Sequence, residues 1–140
     1  MRYLVDTCVL SELSKKQPFE PVVAWIREQH ELSLFVSVLT FGEIEKGMAK
    51  LGDEKRQRRL RNWVDHDLKR RFAGRILDFD YEAACRWGAI TGSAEMQGTP
   101  IPVLDGQLAA TALIHGMTLV TRNTPDVAPT GVPSLNPWAV

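Results

Sequence analysis

Cysteine, net charge and long apolar runs are all scarce in this sequence. Only two cysteines occur in 140 residues, Cys8 and Cys85, far apart and outside any metal-ligand spacing, which excludes a cysteine-built metal site. They suit a reducing compartment and are expected to be small core residues. Acidic and basic side chains cancel at 17 each, so no global field draws the protein to nucleic acid or to a membrane. Any polyanion partner must be held by a local patch or through bound metal. No apolar run approaches the ~18 residues of a membrane span, and the N-terminus lacks a basic-then-apolar signal pattern. A cytoplasmic protein without a membrane partner is the expectation. His30, His66 and His115 are scattered without metal spacing and read as surface or helix-end residues.

What is present is ordinary for one globular domain. Hydrophobic residues make up 44% and charged residues 24%, enough to bury a core within residues 1–140. Tyr3-Leu4-Val5 is a short apolar run with β-forming residues, which predicts a buried strand over about 2–6. A helical pattern follows to about Lys15, and Pro18 and Pro21 open a second helix to about Gln29. Leu34 to Val38 predicts a second strand. A third helix starts near Thr40, with Phe41, Ile44 and Met48 on one stripe. Residues 53–75 carry nine Lys or Arg against four acids, with Leu60, Trp63, Val64 and Leu68 as an apolar stripe. This is an amphipathic basic helix, either a solvated face, a phosphate-contacting rim or a partner surface. Ile76–Phe79 predicts a third strand, Tyr81–Gln97 a helix, Leu108–Ile114 an Ala-rich helix, and Met117–Thr121 the last clear strand. From about residue 123 a proline-rich tail is expected to lie over the surface, anchored by Val132 and Trp138. Strands alternating with helices argue an α/β fold, a single three-layer α/β/α domain with a central parallel sheet.

Asp6, Asp105 after Val103-Leu104, and Thr121-Arg122-Asn123 after Val120 share one design, a polar group just past a short apolar run. If those runs are parallel strands, the polar ends gather at one sheet edge, where open α/β sheets bind ligands. Glu43, one helical turn after the second strand, can lean over the same edge. Asp6, Thr7 and Asp105 also suit simple helix capping. Clustered carboxylates need a counter-charge, which Mg²⁺ or Mn²⁺ supplies through oxygen ligands. Such a site polarises a phosphoryl oxygen and activates water for phosphodiester hydrolysis.

The combination Leu4-Val5-Asp6-Thr7, Thr40-Phe41-Gly42-Glu43-Ile44-Glu45-Lys46-Gly47, Asp105 opening an Ala-rich helix, and Leu119-Val120-Thr121-Arg122-Asn123 resembles a PIN domain. Within that family it is most similar to the VapC/FitB-type toxins of bacterial toxin–antitoxin pairs. The resemblance covers essentially the whole chain. It implies a metal-dependent ribonuclease acting on RNA, a homodimer, and a cognate antitoxin that blocks the site. Carried over by position, Asp6, Glu43 and Asp105 form the acidic metal-binding core, with Glu43 selected over Glu45 by the family pattern. Thr7 and Thr121 become supporting polar residues, and Arg122 with Arg58, Arg59 and Arg61 become candidate RNA contacts.

The fourth acid departs from the pattern. Many relatives carry Asp at the position of Asn123, and others carry an acid three residues later, here Asp126. Asn123 is a neutral and weaker ligand, which leaves Asp126 to complete the set. Two other readings stay open. One is a PIN-like module with a weakened metal site that binds RNA or protein without cutting. The other is an aspartyl-phosphate hydrolase, which would want an acid two residues after Asp6, where Cys8 stands.

Overall fold

In the computed structural model, which describes residues 1–139, five parallel strands form one sheet in the order β3-β2-β1-β4-β5. Strand β1 (Tyr3–Val5) pairs with β2 (Leu34–Ser37) on one side and β4 (Thr118–Val120) on the other. β3 (Ile76–Leu77) and β5 (Ser134–Leu135) are the edges. Side chains alternate across such a sheet, and the two layers of core follow from that period. Val5, Val36 and Val120 pack with helices α1 (Thr7–Leu13), α2 (Glu20–Glu28), α3 (Val38–Ala49) and α4 (Glu54–Asn62). Leu4 and Leu119, one residue out of phase, pack with Leu108, Ala109 and Ala112 of the later helix over Val103–Ile114 and with Val127. The expected three-layer α/β/α domain is the observed one. No helix among the described residues is long and apolar enough to cross a membrane.

The basic segment is one rod with a local change of pitch. Helix α4 runs into a π-helical stretch (Trp63–Leu68) and then a last turn, α5 (Lys69–Arg71). A four-residue step rotates by about 40° on an α-helix, which would walk Val64, Leu68 and Phe72 off the core. The wider turn counters that drift, and all three are buried. Gly74, at φ 81, then reverses the chain.

Four expectations change. Val103 and Leu104 are not a strand end: they open helix α7 (Val103–Ile114), which follows α6 (Tyr81–Met96). Proline at positions 100 and 102 keeps the preceding segment extended, so the helix starts only once they are passed. Asp78 and Phe79 fall outside β3, which ends at Leu77. The tail is not a surface strap: it forms α8 (Thr124–Val127), a 3₁₀ turn and strand β5 paired with β4, with Val132 buried and Trp138 packed on the core. Local signals could not reveal that strand, because prolines flank it and the pairing is long-range. Cys85 is exposed and Cys8 only partly buried, so neither is a true core residue.

Candidate functional site

In a sheet of order 3-2-1-4-5 the chain leaves β1 in one direction and returns on the other side through β4. The crevice between the C-terminal ends of β1 and β4 is therefore the topological switch point, and Asp6 and Thr121 stand at its two lips. Asp6 ends β1 in extended backbone and caps α1, its Oδ1 accepting from the Thr7 N–H at 2.6 Å. The capping role is real, but it uses one oxygen. The other, Oδ2, accepts from the buried Thr121 hydroxyl at 2.7 Å. Ser37 caps α3 through the Leu39 N–H, which fixes how α3 leaves β2 and where Glu43 falls. The Thr7 hydroxyl contacts Glu43 Oε1 at 2.5 Å and Thr40 Oγ1 at 3.1 Å. It carries one proton, so it donates to the carboxylate and accepts from Thr40. Asp105 is the third residue of α7, whose cap is Pro102, not Asp105. A carboxylate in a first turn also meets the positive end of the helix dipole.

The electrostatics bring these groups together. Burial raises the Asp105 carboxyl to about 6, and the charges of Asp6, Asp126 and Glu43 push the same way while a hydrogen bond from Asn123 opposes them. Burial also raises Glu43, helped by Asp6 and resisted by the Thr7 hydroxyl and Lys46. Asp6, Glu43, Asp105, Asn123 and Asp126 thus share one neighbourhood. Asn123 hydrogen-bonds to Asp105 and the charge of Asp126 is felt there, so both lie near that carboxylate. Glu45 is elsewhere: it lies exposed in a two-pronged pair with Arg61, both bonds at 2.6 Å. That pair also removes Arg61 from the free cations. Arg122 is exposed and stacks over Trp138 at 4.9 Å.

All the donors here are oxygens, the set that hard divalent cations take. The mutual repulsion felt by Asp105 and Glu43 is what such a charge would relieve. Among the described residues no three His, Cys, Asp or Glu side chains lie close enough together to hold a metal ion as they stand.

The PIN-domain family model matches residues 3–125, most of the chain, and takes in Asp6, Glu43 and Asp105, while Asp126 falls one residue past its end. The chain belongs to the PIN-domain family. Among curated PIN-type relatives, it is 35% identical over 135 residues to the VapC ribonuclease Y4jK of Sinorhizobium fredii, covering 96% of each chain. It is 36% identical to the toxin FitB of Neisseria gonorrhoeae, covering 96% of this chain and 97% of that one. The crystal structure of FitAcB from Neisseria gonorrhoeae superposes with a TM-score of 0.93, covering 99% of both chains at 36% identity.

One neighbour of this PIN-domain site, Thr40, has no sequence signal strong enough to find it. Thr40 is fully buried behind Thr7, and a buried threonine on a helix reads from sequence as ordinary packing. The Cys8 thiol lies 3.4 Å from Asp6 Oδ2. Burial and the Asp6 charge push it up to about 12, so it is a neutral thiol and no nucleophile.

Proposed function

We propose that this PIN-domain protein is the toxin of a toxin–antitoxin pair, an endoribonuclease that hydrolyses RNA phosphodiester bonds and is restrained by a cognate antitoxin. The observation that carries the reading is that Asp6, Glu43 and Asp105 share the β1/β4 crevice, where burial and the neighbouring acids push the Asp105 carboxyl up to about 6, in a chain so similar to a VapC ribonuclease. The site would hold Mg²⁺ or Mn²⁺ through Asp6, Glu43 and Asp105, with Asp126 and Asn123 completing the set. When bound, the cation supplies positive charge to the phosphate oxygens and acidifies water. The chain's own residues do the rest. Thr121 and the Thr7 N–H fix both oxygens of Asp6, and Thr7 fixes Glu43, so two carboxylates are oriented before substrate arrives. Asn123 donates to Asp105 and keeps it ionisable despite the crowding. A cytoplasmic homodimer belongs to the same reading.

The test is cleavage of a mixed RNA pool by antitoxin-free protein with Mg²⁺ or Mn²⁺, comparing wild type with Asp6→Asn. The variant should lose about a thousandfold or more of the activity while keeping its fold, because an oriented charge acting on the transition state is removed. Equal cleavage by a folded Asp6→Asn protein would sink the assignment. A second reading, an RNA-binding module that does not cut, is favoured by the neutral Asn123 and the open carboxylate set. It requires RNA binding retained in EDTA and no products when metal is restored.

A further inference from the structure

Helix α4 carries a row of cations that the fold leaves unneutralised. In the basic rod Arg61 pairs with Glu45 and Asp65, and Arg71 and Arg75 pair with Glu31. Arg75 is buried and also donates to the carbonyls of Glu31 and Leu34 at 2.6 Å, so it is structural. Lys55, Arg56, Arg58 and Arg59 are exposed, and no ion pair among the described residues involves them. Neighbours three and four apart on a helix lie about 5–6 Å from one another, so these like charges repel unless an anion lies over them.

The four cations line hollows that lead to the carboxylate site. The outer one, about 920 Å³, is bordered by Lys55, Arg58, Arg59 and Trp63. The middle one, about 430 Å³, is bordered by Arg56, Arg59 and Lys16. The inner one, about 270 Å³, is bordered by Arg56 and Trp63 together with Thr7 and Glu43. Ser14 borders all three and Arg56 the last two, which makes them one trough ending at Glu43. Asp67 is the one carboxylate on the outer wall, and the middle wall has none.

We propose that this trough is the path of the RNA strand into the site, with Arg56 and Arg59 holding phosphates next to the bond to be cut. The inference rests on the nuclease reading and adds the route by which substrate arrives. A neutral protein with an acidic centre repels a polyanion, so a cationic approach must be local. Here it leads directly to Glu43. The charge favours phosphates, and the Trp63 indole at two of the hollows offers a face on which a base can stack. Arg56 and Arg59 are positioning residues: they carry the strand while the carboxylates carry the chemistry.

The experiment measures binding of a labelled single-stranded oligouridylate to the antitoxin-free protein in EDTA, across a potassium chloride titration. The Arg56→Gln/Arg59→Gln double variant should bind about tenfold more weakly at low salt. Its log–log salt slope should shrink by about 1.4, two phosphate contacts at about 0.7 each on a single strand. Arg56→Lys/Arg59→Lys should keep the slope, and Arg70→Gln, an exposed cation outside the trough, should behave as wild type. In cleavage the double glutamine variant should raise KM with kcat retained. Unchanged affinity and slope in the folded double variant would overturn the proposal. So would intact RNA binding with loss of a partner protein only, which would make the trough a protein-docking surface. Lys55→Gln/Arg58→Gln, with the same expected direction, tests the outer end independently. Because binding is read without cleavage, a slope that depends on Arg56 and Arg59 in a protein that never cuts refutes the nuclease reading and keeps the track. A cutting enzyme with an indifferent slope refutes the track alone.

Discussion

Asp105→Asn should stabilise the metal-free protein while destroying its activity, and the effect should depend on pH. The Asp105 carboxyl sits at about 6 against an ordinary 3.8. Two pH units correspond to about 3 kcal/mol, but the group is only partly buried, and solvent screening reduces this to about 1 kcal/mol. The sign follows from linkage. A carboxyl whose folded value is raised binds its proton more tightly in the native state, so its stabilising share is full below pH 3.8 and is lost as pH rises through 6. Asparagine is permanently neutral and does not lose it. In EDTA, Asp105→Asn should therefore melt about 3 °C above wild type at pH 8, and the gap should close by pH 4. Mg²⁺ should then reverse the order at pH 8, because only the wild-type carboxylate gains from the cation. The assay is thermal unfolding of the isolated chain at both pH values, with and without Mg²⁺. A variant less stable than wild type at pH 8 in EDTA, or a gap that does not change with pH, would refute the idea that like charge and burial strain this carboxylate.

Three more substitutions test the surroundings. Thr7→Val removes the donor to Glu43, so activity should fall about 10- to 100-fold and stability by about 1 kcal/mol. Since that hydroxyl holds the Glu43 value down, the acidic limb of the pH–rate profile should also move to higher pH, with Thr7→Ser restoring both. Asn123→Asp adds a charge beside Asp105; calorimetry should show tighter Mg²⁺ binding, and melting in EDTA at pH 8 should show a lower Tm than wild type. Gly106→Ala places a Cβ 3.2 Å from Trp87 Cδ1 and 3.4 Å from Ile101 Cγ2, where α6 and α7 pack. It should cost about 1 kcal/mol by overpacking, seen as a lower denaturant midpoint with the RNA-cleavage rate unaltered; an unchanged midpoint would show that this helix contact has slack.

The carboxylate neighbours were legible to different degrees. Asp6 interrupts an apolar run at a strand end, a signal that a single sequence window holds, and α/β alternation places that end on the ligand edge. Glu43 and Glu45 are alike in the window, two residues apart on one helix. The family pattern selects Glu43, and the packing gives the physical reason: Ser37 sets the phase of α3 and turns Glu43 toward Thr7 while Glu45 meets Arg61. Asn123 and Asp126 read as alternatives along the chain, yet the fold brings the Asn123 amide and the Asp126 charge to bear on the same Asp105.

Period-two strands, period-3.6 helices and capping residues are encoded within a few residues, so the sequence by itself determined the layer architecture and the position at which Asp6 leaves its strand. Everything that depends on partners distant in the chain was decided by the tertiary structure. β5 exists because β4 offers it a ladder. Asp105 reaches the site on the first turn of a helix rather than on a strand. Of the nine cations of the basic rod, three are locked by Glu31, Glu45 and Asp65, four form a free row facing the trough, and Lys69 and Arg70 lie outside it. A charge written in sequence has no partner until the fold brings one within reach, and that distance is what separates a structural arginine from one left free to bind.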